Sequence, residues 1–264
     1  MTGIVPPSPL LGPDDPPPFR VIEGAARSPF VVTCDHAGKT LPRAVGDLGL
    51  SAADLERHIA WDIGAAAVAE LLARDLGAFA IWQTYSRLVI DCNRPPAVDS
   101  SIAKHSEDTP IPGNQQLSEA DRQARAEAIF YPYHRRIEQE LERRRLAQIP
   151  SVYVAVHSFT PRYLGKERRW HAGVLYGKDG RLAKALLDVL RREPGLEVGD
   201  NEPYFVSELT DYGVVQHAER RGLLYVELEM RQDLLFDEQG QRRWAERVGR
   251  ALETALAELG FSGS

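Results

Sequence analysis

Residues 152–160 read VYVAVHSFT. The run from Val152 to Val156 is β-branched, aromatic and small apolar throughout, which describes a buried strand. It ends on His157 and Ser158, two polar groups that resist burial. Open α/β sheets bind ligands at the carboxyl ends of their strands, so a polar ending there points to a site.

Outward from this strand, short apolar runs alternate with longer amphipathic ones from residue 28 onward, as expected of helices packed on a mostly parallel sheet. SPFVVTCDH, AFAIWQ, RLVIDC, HAGVLYG and LLYVELEM read as further strands. Ser51 caps a segment whose helical spacing continues to Gly77. Ser118 opens another helix, which Pro132 kinks or restarts before HRRIEQELERRR. RLAKALLDVLRR is helical, SELTDYGVVQHAERRG is a helix stopped by Gly222, and a terminal helix runs from about Asp237 to Leu259. Residues 93–116 are rich in proline and glycine and too long for an ordinary connection, so a functional or mobile loop is expected there.

A chain of 264 residues, 43% of them hydrophobic, is large enough for one core and needs no second domain. The expected division is a proline-rich extended arm over 1–27, lying on the surface or on a partner subunit, and a single domain over 28–264. A net charge of −6 disfavours a nucleic-acid surface. Cys34 and Cys92 have no CxxC spacing, which argues against a disulfide framework or a thiolate metal site and leaves a reduced cytoplasm as the expected compartment. No stretch approaches a membrane span, and MTGIVPPSPLLGPDDPPPF does not read as a signal peptide. Monomer and homo-oligomer both remain open.

The polar residues at strand ends collect into one chemistry. They are Asp35-His36 after FVVTC, Arg87 and Asn93-Arg94 around RLVIDC, His157-Ser158, and Glu227 and Glu229 in YVELEM. Two imidazoles, several carboxylates and two arginines suit a hydrolytic metal site that takes an anionic substrate. Glu227 and Glu229 share one strand face, where burial of both raises the proton affinity of one.

PFVVTCDHAGKTLP, HIAWDIGA, SRLVIDCNRPP, FYPYHRRIEQEL, VAVHSFTP and LLYVELEMRQDL, in this order over residues 28 to 236, resemble the N-formylglutamate amidohydrolase family of the zinc carboxypeptidase-like superfamily. The resemblance implies a three-layer αβα sandwich with a mostly parallel mixed sheet, of the phosphorylase/hydrolase-like kind. It implies one Zn²⁺ or other divalent ion per chain, held by His36 and His157. It further implies Asn93-Arg94 on a substrate carboxylate, Glu229 as general base with Arg231 of the same strand motif binding substrate, and a small anionic N-acyl amino acid as substrate. Arg87 is expected at the oxyanion or a substrate carboxylate, and Ser158 at the turn or the substrate.

The carboxypeptidase pattern has glutamate three residues after its first histidine, and Lys39 stands there. Asp62 is therefore the expected second ligand, with Glu56, His58 and Asp35 as alternatives; Glu227 is the alternative base. His134 is the remaining histidine expected to approach the cleft, and Tyr204 is either a substrate-facing phenol or a turn anchor. Competing functions are an amidase for a related N-acyl amino acid or small peptide, a non-catalytic anion-binding module that has lost a ligand, and a metal-free hydrolase using Ser158. The last lacks a G-x-S-x-G elbow.

Overall fold

The computed structural model of the protein describes residues 10–25 and 27–261. Seven strands form one mixed sheet: β1 (Phe19–Ile22), β2 (Phe30–Cys34), β3 (Phe79–Gln83), β4 (Val152–Phe159), β5 (Ala172–Leu175), β6 (Val198–Asp200) and β7 (Leu224–Arg231). Their spatial order is β1-β3-β2-β4-β7-β5-β6. Strands β3, β2, β4 and β7 run parallel, β1 is antiparallel to β3 at one edge, and the β5–β6 pair runs antiparallel to β7 at the other. β2 and β4 are buried along their whole length, as interior parallel strands are.

The helices are α1 (Ala52–Leu55), α2 (Ala65–Asp75), α3 (Glu119–Arg125), α4 (Tyr131–Leu146), α5 (Arg181–Leu190), α6 (Tyr212–His217) and α7 (Glu238–Glu258). Val32, Val154 and Val226 face a core closed by α2, α5 and α7, whereas Val31, Tyr153 and Tyr225 face one closed by α4 and α6. The expected three-layer αβα sandwich is the architecture found. Within the segment expected as an arm, residues 19–22 form β1 against β3, and residues 1–9 lie outside the described residues.

Three expected elements differ. RLVIDC is a buried turn: Val89 N–H donates to Ser86 O at 2.9 Å, and Leu88, Val89 and Ile90 are all buried. Its β-branched run signals burial, which a loop sunk into the core satisfies as well as a strand does. The helix expected over 51–77 is interrupted between Leu55 and Ala65. Gly64, at φ +82°, begins α2 with Leu235 packed where a Cβ would lie, and Asp62 N–H donates to His36 O at 2.9 Å. The loop-to-strand-end tie outweighs helical propensity and turns Asp62 toward the sheet edge. Of SELTDYGVVQHAERRG, only α6 and a short turn at Glu219–Arg221 are helical, ended by left-handed Gly222 as expected.

Residues 93–116 are ordered by short 3₁₀ turns and a small hairpin of His105–Ser106 with Thr109–Pro110. Asn114 pins them, donating from Nδ2 to Leu88 O and Ala103 O at 2.8 Å each. Pro132 falls in the first turn of α4, which continues without a break from α3 through a π-helical turn at Ala126–Phe130, so the ring is taken up by a local widening of the helix and not by a new start. No helix of the described residues is long and apolar enough to cross a membrane.

Candidate active site

The carboxyl ends of β2, β4 and β7 open into a cleft of about 620 Å³. His36 follows β2, His157 lies near the carboxyl end of strand β4, and the break before α2 brings Asp62 to both. One ligand atom from each of the three lies within 4.8 Å of the others, and all three residues are buried. Asp62 Oδ2 stands 2.9 Å from His157 Nδ1 and 3.5 Å from His36 Nδ1.

The second nitrogens tell which atoms are free. His36 Nε2 lies 2.6 Å from Asp91 Oδ1. A carboxylate only accepts, so Nε2 carries the proton, and Nδ1 is left buried with no hydrogen-bond partner among the described residues. An unpartnered imidazole lone pair beside a second imidazole and a carboxylate is a donor set that suits zinc. The residues present therefore fit the metal that the resemblance implies.

Asp91 is itself anchored: Arg87 Nη2 and Nε donate to its Oδ2 at 2.7 and 3.1 Å, and Asn93 N–H donates to its Oδ1 at 2.8 Å. Burial would raise the Asp91 carboxyl, but Arg87 and His36 hold it well below the usual carboxylate range. Burial likewise works against the charged form of Asp62, and His36 and His157 overcome it and hold that carboxyl low. For His157, burial favours the neutral ring, yet the hydrogen bond to Asp62 and the charge of that carboxylate push its proton affinity well above the ordinary histidine value.

Glu229 and Glu227 both line the cleft from β7. Burial raises Glu229 to about 8, with Asp62 adding to the rise and His157 and Arg87 opposing it. Burial and then the neighbouring Asp211 carry Glu227 well above the usual range. In register, Glu229 lies beside His157 and Glu227 beside Ala155, one pleat deeper.

The remaining expected residues divide. Arg87, Asn93, Arg94 and Ser158 line the cleft. Arg87 commits Nε and Nη2 to Asp91, which leaves Nη1, 3.7 Å from Asp62 Oδ1. Asn93 accepts Gly213 N–H on its side-chain oxygen at 3.0 Å, so its amide NH₂ is the group it offers a ligand. Arg94 donates to Thr210 O, which fixes its guanidinium at the wall. Ser158 Oγ donates to Ile63 O at 2.8 Å, an engagement that suits a turn residue and not a nucleophile. Tyr204 lines the mouth and accepts from Arg168 Nη1 at 2.8 Å.

Arg231 does not reach the cleft. It pairs with Phe159 at the very end of β4, and its guanidinium turns to Asp233 at 2.8 Å and to the carbonyls of residues 168–170. Nor does His134, which is buried in the α4 side: it donates from Nε2 to Cys92 O and meets His217 Nε2 with Nδ1, each at 2.8 Å. Among the alternative ligands, exposed Glu56 pairs with Lys39, His58 stands 3.3 Å from Glu107, and Asp35 accepts from Tyr133. Lys39 thus sits outside the ligand set, and its place in the pattern costs the site no ligand.

Asp91 and Tyr133 join the site without a strand-end position in the sequence to mark them, although each lies in a family-like motif, SRLVIDCNRPP and FYPYHRRIEQEL. A carboxylate two residues before Asn93-Arg94 was the available signal for the first.

The N-formylglutamate amidohydrolase family model matches residues 28–236. Among solved structures, the gene product Atu2144 from Agrobacterium tumefaciens is 38% identical, with 95% of this chain and 99% of that one covered at a TM-score of 0.92. The N-formylglutamate amidohydrolase from Ralstonia eutropha JMP134 is 19% identical, with 92% and 97% covered at a TM-score of 0.64, a likeness of fold. No curated protein matches.

Proposed function

The chain belongs to the N-formylglutamate amidohydrolase family, and on that premise we propose that it is a zinc-dependent amidohydrolase that cleaves a small anionic N-acyl amino acid, foremost N-formyl-L-glutamate to formate and glutamate. The observation that carries the reading is the convergence of His36, Asp62 and His157, with Glu229 in register beside His157.

When bound by those three residues, zinc supplies Lewis-acid activation of a water and of the acyl carbonyl. Glu229 takes the proton of the attacking water and returns it to the leaving nitrogen. Burial raises this carboxyl above the ordinary range, and a cation at His36, Asp62 and His157 would lower it again toward neutrality, where a group both accepts and gives up a proton. Arg87 directs its uncommitted Nη1 at charge developing on the carbonyl oxygen, with its orientation fixed by Asp91. Arg94 and the Asn93 amide hold a carboxylate of the substrate, the planar group a guanidinium recognises best. The net negative charge of the chain is no obstacle, since the arginines of the cleft act at contact distance.

The test is formate or acid release from N-formyl, N-acetyl and N-succinyl amino acids by the zinc-loaded protein. Turnover of N-formylglutamate above its neutral and longer-acyl relatives is expected. Zinc binding without turnover of any of them would replace this reading with an anion-binding module.

A further inference from the structure

The two nitrogens of His157 are treated unequally. Nδ1 faces Asp62, while Nε2 is buried with no hydrogen-bond partner among the described residues. Among the buried polar atoms of the site that lack a partner, Asp35 Oδ2 stands 3.8 Å from it, on a side chain fully shielded from solvent. A buried carboxylate oxygen and a buried ring nitrogen, each without a partner among the described residues, thus stand about 0.6 Å beyond the usual hydrogen-bond limit of about 3.2 Å.

Asp35 is held from behind. Tyr133 Oη–H donates to its other oxygen at 2.6 Å, and Tyr133 is a fully buried residue of α4, 98 positions away in the chain. Gly213 leaves the room: a Cβ there would sit 2.9 Å from Asp35 Oδ2. The other imidazole is built alike. His36 turns Nδ1 toward Asp62 and gives its Nε2–H to Asp91, which Arg87 anchors as Tyr133 anchors Asp35.

From this we infer that Asp35, clamped by Tyr133, is the positioning residue of His157: it accepts the Nε2–H and so selects the tautomer that leaves Nδ1 as ligand atom. A ligand histidine oriented by a carboxylate binds metal more tightly because the ring is held in place and made more basic. The inference rests on the zinc reading above. It gives the YPYH segment a role in the site that its histidine does not fill, since His134 is turned to Cys92 and His217.

The test measures zinc affinity by chelator competition on the full chain, for the wild type, Asp35→Asn and Tyr133→Phe, with the melting temperature of each metal-free form. Asp35→Asn is expected to weaken zinc by roughly 10–100-fold, the usual cost of losing such a partner. Tyr133→Phe, which removes one hydroxyl and no charge, is expected to weaken it in the same direction by less, and it carries the test if Asp35→Asn does not fold. Nitrogen-15 NMR of the zinc-loaded wild type should show His157 protonated at Nε2. Unchanged affinity in both variants, with or without a lower melting temperature, overturns the assignment alone, as does a proton found at Nδ1. Failure of the wild type to bind zinc overturns the metal reading and this assignment with it.

Discussion

Glu229 and His157 are direct partners across the parallel pair of β7 and β4. The register is set on the opposite face of the sheet, where Val226 beside Val154 and Leu228 beside Val156 lock the two strands into the core. A slip of β7 by one residue would turn Glu229 to the face of the sheet opposite His157, so the packing of the sheet fixes the placing of the base beside the candidate ligand.

Glu229→Gln should therefore retain zinc and lose turnover by about two orders of magnitude or more, the usual contribution of a general base. In the wild type, kcat/KM should rise with pH as Glu229 loses its proton. A bound cation shifts that limb below the value of about 8 set by burial in the metal-free protein. Unchanged turnover in Glu229→Gln would transfer the role to Glu227.

The same group predicts a stability profile for the metal-free protein. Its folded value, raised by burial to about 8, lies above the ordinary 4.5, so between these pH values the folded chain binds more protons than the unfolded one. Its contribution is complete below about 4.5 and is lost as pH rises through about 8. Glu229→Gln should accordingly be more stable than the wild type at pH 8 and above, with the gap closing toward pH 5. Thermal or urea unfolding of the two metal-free proteins against pH checks this, and a gap that widens on acidification refutes it.

His157 sets the pH dependence of metal binding. Its ring favours neutrality by burial, but the hydrogen bond to Asp62 keeps it protonated well above the ordinary histidine range. Zinc must displace that proton, so affinity should fall from pH 8 to pH 6, with proton release visible in calorimetry in buffers of different ionisation enthalpy. His157→Ala should abolish stoichiometric zinc by elemental analysis; full metal content there removes His157 from the ligand set.

Arg94→Ala should raise KM for N-formylglutamate by more than it lowers kcat, since a carboxylate anchor acts on bound substrate and transition state alike. Steady-state formate release separates the two constants. A loss confined to kcat would place Arg94 at the reacting centre instead.

What could be read in the sequence was what local pattern encodes. His36 and His157 terminate apolar strands, and that placement alone marks them. Asp62 was within reach by family likeness, but the interruption that delivers it lies inside a segment with helical spacing, and Gly64 against Leu235 is a long-range contact. RLVIDC carries the composition of a strand because its core position, and not its backbone, demands apolar residues. The carboxylates behind the histidines were the least legible, because Asp91 meets His36 across 55 positions and Asp35 meets Tyr133 across 98. No window of sequence contains both members of either pair.

The buried histidine pair behind the site predicts acid sensitivity. His134 must hold its proton at Nε2 to donate to Cys92 O, so its Nδ1 accepts from His217 Nε2–H, and both rings are neutral. Burial lowers His134 to about 3 and His217 well below the ordinary 6.5, the second helped by its neighbour. In this window the unfolded chain binds more protons, so the stability due to the pair is complete above about 6.5 and drains as pH falls toward 3. Each ring contributes a slope of up to about 1.4 kcal/mol per pH unit. His217→Gln, which keeps a donor for His134 Nδ1, should flatten the fall in unfolding free energy between pH 6 and pH 4, read by urea titration at each pH. An unchanged slope would mean that the pair takes up no protons on unfolding and that other groups govern the acid limb.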